Sequence, residues 1–352
     1  MKVDTDILFE RRGTAGLVTL DRPQSLNAVT QCMLRALARQ LAAWERDPAV
    51  TRVIVVAKGS RAFSAGGDLR ALYDLGRAGR YEEALGFFRE EYALNARIKR
   101  YRKPYLALID GIVMGGGAGI SVHGSHRIAG DRFAFAMPEV GIGFFPDIGA
   151  TWFLPRLPGE LGTYCALTGG RLDAADAVSA GIATHRVPSG QLPELLDRLC
   201  GAASIDGALG GIPAVAGEGS LHPHRQAIDR LFRGGQIEQI LQALDAETAA
   251  DAADARFASA AAALMRTKSP TSLKLALAQM RRGASLDFEE CMRTEFRIVS
   301  RVVRGHDLYE GIRAVIVDKD QAPRWQPGVL EAVSTAEVER HFAPVTNELE
   351  LP

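Results

Sequence analysis

Tyr105-Leu-Ala-Leu-Ile109-Asp-Gly-Ile-Val-Met114-Gly-Gly-Gly-Ala-Gly119 is an apolar, β-rich run that ends in a cluster of glycines. A strand that stops at glycines and is followed by an apolar segment able to continue as helix reads as a strand–turn–helix passage. The pattern occurs a second time upstream, where Val53-Ile-Val-Val56 precedes Ser64-Ala-Gly-Gly-Asp68. Each turn exposes a helix N-terminus, whose bare backbone N–H groups can point at an oxygen carrying partial negative charge. Two such turns facing one another would form an oxyanion hole, in which a single donor contributes about 3–4 kcal/mol of transition-state stabilisation. Any one glycine pair also has a plainer reading, a tight bend with positive φ. Gly115–Gly117 does not satisfy GxGxxG, because Ile120 stands where the last glycine belongs, so a dinucleotide site is disfavoured.

Outward from these turns, short β-rich runs such as Leu17-Val-Thr-Leu20 alternate with helical stretches such as Gln31 to Glu45, which gives an α/β fold class. From Gly201 to Gly219 the composition shifts to Gly, Ala, Ser and Pro and reads as a linker. Beyond it, from His224, helical periodicity dominates, with Ala-rich segments at Ala243 to Ala263 and a further helix at Leu273 to Met280. The expected division is an α/β core over residues 1–205 and a helical C-terminal region over residues 206–352, serving as a cap or an interface.

The bulk composition narrows the function classes. The chain has 352 residues, 47% hydrophobic and 24% charged, as in ordinary globular proteins. Lys plus Arg and Asp plus Glu both number 42, so there is no broad basic field for nucleic acid, and an anion site must be local. Cys32, Cys165, Cys200 and Cys291 are widely separated without a CxxC pair, which suggests reduced thiols rather than zinc or disulfides. His123 and His126 have a metal-compatible spacing but no third ligand, and are read as structural. No apolar run reaches the length of a membrane span, and the acidic start MKVDTDILFERRG does not resemble a signal peptide; a cytoplasmic location is expected.

The chemistry-bearing residues are carboxylates in apolar company. Phe135-Ala-Met-Pro-Glu-Val-Gly-Ile-Gly-Phe-Phe-Pro-Asp-Ile-Gly149 contains Glu139 and Asp147. Such surroundings raise a carboxyl pKa towards values suited to acid and base work, although a cap or a turn rim would also account for either residue. Phe87-Phe-Arg-Glu-Glu-Tyr92 looks like an amphipathic helix on which Glu90 and Glu91 face different ways, so that one of them could turn inward. No GxSxG elbow is present, which argues against a serine nucleophile.

Taken in order, Asp21-Arg-Pro-Gln-Ser-Leu-Asn-Ala28, Ala62-Phe-Ser-Ala-Gly-Gly-Asp-Leu-Arg70, Asp110-Gly-Ile-Val-Met-Gly-Gly-Gly117 and Met137-Pro-Glu139 resemble the crotonase, or enoyl-CoA hydratase/isomerase, superfamily. Ser121-Val-His-Gly124, Phe144-Phe-Pro-Asp147, Lys268-Ser-Pro-Thr-Ser-Leu273, Arg304-Gly-His-Asp307, Glu310-Gly-Ile-Arg-Ala-Val315 and Asp318-Lys-Asp320 are similar to its 3-hydroxyisobutyryl-CoA hydrolase branch. The resemblance implies a spiral of ββα units with a helical C-terminal region. It implies an acyl-CoA substrate, with coenzyme A as part of that substrate and no separate cofactor or metal. The thioester carbonyl would lie between the N–H groups of Gly67 and Gly116, and the adenine near Ala65, Asp68 and Leu69. Glu139 would be the catalytic carboxylate, as nucleophile or base, with Glu91 and Asp147 binding or assisting the substrate. The reaction implied is hydrolysis of 3-hydroxyisobutyryl-CoA in valine breakdown. Hydratases carry a glutamate three residues after the second oxyanion glycine, and here that place is Gly119, which disfavours hydration or isomerisation of an enoyl-CoA. A non-catalytic CoA-binding subunit is the remaining alternative. Superfamily members commonly associate, so a homo-oligomer is compatible with the sequence. Arg22, Lys58 and Arg61 are candidate contacts for the CoA phosphates by proximity alone.

Overall fold

The structure is a computed structural model that describes residues 6–210, 217–249 and 254–352. The first five residues of the acidic start, part of the expected linker and part of the Ala-rich stretch therefore lie outside the described residues. Among the described residues, β1 (Ile7–Arg12), β2 (Ala15–Leu20), β3 (Arg52–Ala57), β4 (Ala62–Ser64), β5 (Tyr105–Ile109), β6 (Ile112–Met114), β7 (His126–Ala129), β8 (Ala134–Ala136) and β9 (His185–Arg186) form two sheets. The larger has the order β1-β2-β3-β5-β7-β9 and the smaller β4-β6-β8. Only β1 and β2 pair antiparallel; the other ladders are parallel.

Successive strand pairs β3/β4, β5/β6 and β7/β8 each place one strand in the large sheet and the next in the small one. The chain thus advances as a spiral, one turn per pair. Alternation along the strands builds two cores. On β5, Tyr105, Ala107 and Ile109 face the main core, while Leu106 and Leu108 face a second layer with Leu195 and Leu199 of the helix Leu192–Gly201. Buried on both faces, such a strand reads as a continuous apolar run.

The sequence-predicted elements appear close to their expected limits, as the strands β2 and β3 and the helices Gln31–Arg46 and Pro270–Gly283. Within the expected linker, Ile205–Leu209 is instead a short helix whose start is capped by Ser204, since a serine hydroxyl can satisfy an orphan N–H of the first turn. The main core runs through both halves of the chain, from Ile7 to Leu349.

Two glycines seat the C-terminal region directly on the turn that carries Glu139. Gly143, at φ +69°, ends that turn, and a Cβ there would stand 2.1 Å from the Asp307 carbonyl oxygen. Opposite it, a Cβ on Gly311 would stand 2.3 Å from the Ile142 carbonyl carbon. Buried hydrogen bonds reinforce the contact: Ser269 donates its hydroxyl to Asp307 Oδ2 at 2.6 Å, and the Ser269 N–H donates to the Val140 carbonyl at 3.3 Å.

Gly311 lies inside the helix Asp307–Ile312, where alanine would ordinarily be favoured by about 1 kcal/mol. Because the methyl meets backbone here, Gly311→Ala should instead lower stability by about 1–3 kcal/mol. The check is a drop in the thermal unfolding midpoint followed by circular dichroism.

Candidate active site

Strand register brings the site together. β4 and β6 are parallel neighbours, with Ala62 opposite Ile112 and Ser64 opposite Val113, and β6 pairs with β8 with Met114 opposite Ala136. The three strands end side by side, so the segments that follow, Ala65-Gly-Gly67, Gly115-Gly116 and Met137-Pro-Glu139, emerge at one edge. Close approach of the first two demands glycine. A Cβ on Gly117 would lie 2.4 Å from the Ser64 carbonyl oxygen, and one on Gly115, itself at φ +44°, would lie 3.3 Å from Gly66 Cα.

The Asp21–Ala28 motif supports the first turn. Asn27, left-handed at φ +54°, accepts the Arg22 N–H at 2.8 Å and donates to the carbonyls of Lys58 and Ala62 at 2.9 and 3.0 Å. Ala65 N–H then bonds Leu26 O, Val29 N–H bonds Gly66 O and Asp68 N–H bonds Val29 O. The Gly67 N–H takes no part in this set. On the second turn, the N–H groups of Gly119 and Ile120 close onto Gly115 and Gly116. Gly116 is the first residue of its helical turn, so its own N–H has no carbonyl one turn earlier to bond.

All eight site residues expected from the sequence, namely Ala65, Gly67, Asp68, Leu69, Glu91, Gly116, Glu139 and Asp147, line one cavity of about 550 Å³. Its walls are otherwise largely apolar, with Leu72, Phe87, Phe144, Leu308 and Ile316 among them. The helix Tyr81–Lys99 sends Glu91 inward, buried, while Glu90 pairs with Arg35 at 2.7 Å and accepts from Gln31 at 3.1 Å. Glu91 Oε1 is 2.5 Å from where a Gly116 Cβ would be, and Glu139 Oε1 is 3.4 Å from the corresponding point on Gly115. Glu91 Oε1 and Glu139 Oε2 have no hydrogen-bond partner among the described residues. Buried polar atoms are almost always paired, so each exception calls for a reason, and a reactant that the group must meet is one.

Asp147 sits on a strained turn. Ile148 has φ +57° and Gly149 φ +90°; for a β-branched residue the left-handed region costs on the order of 1–3 kcal/mol and persists only where neighbours enforce it. Tyr92 donates its hydroxyl to Asp147 Oδ2 at 2.9 Å. Glu295 accepts the N–H of Gly149 at 2.7 Å and that of Thr151 at 2.8 Å. His123 reaches the Ile148 carbonyl at 2.7 Å, a structural contact, and burial pushes its pKa down to about 4.

Burial dominates the electrostatics. It raises Glu91 well above the ordinary carboxylate range, reinforced by the charges of Asp147, Glu295 and Glu139. Glu139 is raised by burial and by Asp147, and Glu295 goes up to about 8 for the same two reasons. Asp147 rises to about 7 through burial, held back by the Tyr92 hydroxyl.

The candidate phosphate contacts are not in the cavity wall. Arg22 pairs with Asp68 at 3.0 Å, Lys58 pairs with Asp21 at 2.6 Å, and Arg61 does not line the cavity. Lys268 does line it, and a Cβ on Gly141 would stand 3.4 Å from its Nζ. At Gly119, a side chain would meet Asn95 Nδ2 at 2.8 Å and Ile148 Cβ at 3.0 Å. The space beside that glycine is filled by a buried asparagine and by the strained isoleucine.

The sequence pattern of the enoyl-CoA hydratase/isomerase family matches residues 15–342. The chain belongs to this family. Within it, the chain is 43% identical to the mitochondrial 3-hydroxyisobutyryl-CoA hydrolase of Gallus gallus, over 97% of this chain and 90% of the relative. It is 40% identical to that of Homo sapiens, over 96% and 88%. A crystal structure titled carnitinyl-CoA dehydratase from Mycobacterium thermoresistibile matches with a TM-score of 0.92 at 41% identity, covering 99% of both chains. The family member titled enoyl-CoA hydratase from Rhodobacter sphaeroides matches at 0.91 and 38%, covering 99% of this chain and 100% of that one. These likenesses establish the crotonase-type α/β fold with its helical C-terminal region. The mitochondrial location belongs to the relatives and does not bear on the cytoplasmic expectation. Among the described residues, no helix is long and apolar enough to cross a membrane.

The raised Asp147 carboxyl has a consequence for this family member's stability. Unfolded, the carboxyl ionises near its ordinary 3.8, whereas folded it does so near about 7. Between those values the folded state keeps a proton that the unfolded state has released, so stability falls as pH rises through that window. Asp147→Asn should therefore raise the unfolding midpoint at pH 8 and leave it nearly unchanged at pH 4, as read by calorimetry.

Proposed function

We propose that the chain hydrolyses 3-hydroxyisobutyryl-CoA to 3-hydroxyisobutyrate and free CoA, a step of valine breakdown. The observation that carries this reading is the convergence of two closely apposed glycine turns with the buried carboxyl of Glu139 at one sheet edge, all lining one cavity. The thioester carbonyl oxygen would accept from the N–H groups of Gly67 and Gly116, which stabilise the charge that develops on it more than they stabilise the ground state. Glu139 would attack the carbonyl carbon, or remove a proton from the water that does. The C–S bond breaks, the CoA sulfur leaves as thiol after taking up a proton, and water supplies the hydroxyl of the product acid. Asp147 would orient the β-hydroxyl or the leaving sulfur, and Glu91 would hold the acyl end beside Gly116. The adenine would lie against the backbone of Ala65, Asp68 and Leu69. Coenzyme A enters as part of the substrate, and the chemistry calls for no other cofactor.

Titles of solved relatives point to a second reading, hydration or dehydration of an acyl-CoA. The packing of Asn95 and Ile148 against Gly119 counts against a second glutamate at that place, and so against this reading. Nor does the set of unpartnered carboxylates on the cavity wall suit a silent CoA-binding subunit.

Thiol release from 3-hydroxyisobutyryl-CoA, followed with a thiol reagent, should show turnover, and Glu139→Gln should lower kcat by at least about a hundredfold. Loss of the crotonyl-CoA double bond at a comparable rate would favour the hydratase reading, and no thiol release would favour the silent subunit. If Glu139 is the nucleophile, borohydride added during turnover should trap the acyl-enzyme at Glu139 in a peptide map. An unmodified Glu139 would leave it the role of base.

A further inference from the structure

We infer that Tyr92 and Glu295 are positioning residues that hold Asp147 from two sides without reaching the substrate. The inference rests on the role assigned above to Asp147. Neither Tyr92 nor Glu295 lines the cavity, yet both are fully buried and both are bonded to the Asp147 segment. Tyr92 grips the carboxylate itself, through the 2.9 Å bond from its hydroxyl to Oδ2. Glu295 grips the backbone, with one carboxyl oxygen on the N–H of Gly149 and the other on that of Thr151.

The turn needs such a grip. Ile148 at φ +57° and Gly149 at φ +90° follow directly after Asp147, and a left-handed β-branched residue relaxes unless its surroundings over-determine it. If it relaxed, the Asp147 carboxyl would leave its place beside the cavity. Gln279 closes the same turn by donating to the Pro146 carbonyl and, at 2.6 Å, to Thr151 Oγ1. The grips come from separate elements: Tyr92 from the helix Tyr81–Lys99, Gln279 from Pro270–Gly283 and Glu295 from Phe288–Val302.

Glu295 is otherwise hard to explain. It is fully buried on a helix whose buried neighbours include Met292, Phe296, Ile298 and Val299. A carboxyl there carries a desolvation cost that an apolar side chain of similar size would avoid. Two N–H groups two residues apart give it a task no apolar side chain could perform. Tyr92 presents the same argument on a smaller scale, since phenylalanine would fill its volume and lose only the bond to Asp147.

The test is a pair of mutant cycles on the full-length enzyme. Tyr92→Phe and Glu295→Gln are each made in the parent and in Asp147→Asn, and kcat and KM for thiol release are measured. Misplacing a reacting group by about 1 Å costs on the order of a hundredfold in rate, so each single variant should lose about ten- to a hundredfold in kcat with KM within about threefold. In the Asp147→Asn background the same substitutions should change kcat by less than about threefold, because groups acting through one residue are not additive. Equal losses in both backgrounds would mean general packing and would overturn the inference, as would parent-like kcat in both single variants. If Glu295→Gln does not fold, Tyr92→Phe, which removes one oxygen and adds nothing, decides the matter. Thermal unfolding of Tyr92→Phe, Asp147→Ala and their double variant needs no substrate. Additive effects there would overturn the grip of Tyr92 on the Asp147 carboxyl whatever reaction the chain performs, while coupled unfolding with no thiol release would reject only the proposed hydrolysis.

Discussion

The parallel register of the three short strands β4, β6 and β8 is the constraint from which the rest of the site follows. Backbone hydrogen bonds hold Ser64 opposite Val113 and Met114 opposite Ala136, so the chain leaves the sheet three times at one edge. The centre of the candidate site descends from those exits: two turns that nearly touch, and an acid on the third segment. The glycines at 116 and 117 are consequences of this arrangement more than causes of it, since a Cβ there would stand 2.5 Å from Glu91 Oε1 and 2.4 Å from the Ser64 carbonyl oxygen.

The carboxylates work against the fold that contains them. Glu91, Glu139, Asp147 and Glu295 are buried, and each is pushed towards its neutral form by burial and by one or more of the others or by burial alone. A core of this kind is less stable at neutral pH than an apolar one of the same shape. The surrounding helices compensate with an extensive apolar core, so local instability persists inside a well-packed whole. Such local conflict with folding rules is where function is expected to concentrate.

Much of this was legible in the order of the motifs, because strand ends and the turns after them are local in sequence. Gly67, Gly116 and Glu139 each follow a β-rich run, and the spiral returns each run to the same edge. Glu91 was harder, since Glu90 beside it differs only in helical phase and the solvent-facing partner Arg35 lies 55 residues away. Tyr92 and Glu295 left no readable signal. Their partners are 55 and 146 residues distant, and a tyrosine or a glutamate in an amphipathic helix reads as ordinary until the fold closes. Lys268 belonged to a recognised motif, yet its place on the cavity wall depends on its approach to Gly141, which no local pattern encodes. The short helix Ile205–Leu209 arose inside a stretch whose glycines read as linker, because one serine suffices to start a helical turn.

The backbone contact between the Glu139 turn and the helix of Gly311 also ties the shape of the cavity to the placing of its acid. Leu308, Val315, Ile316 and Gln321 complete the cavity wall, and the helix that carries Leu308 is the one whose backbone meets the Glu139 turn at Gly143 and Ile142. Undocking of that helix would open the wall and free the acid's turn together, so the chamber and the acid inside it form one cooperative unit.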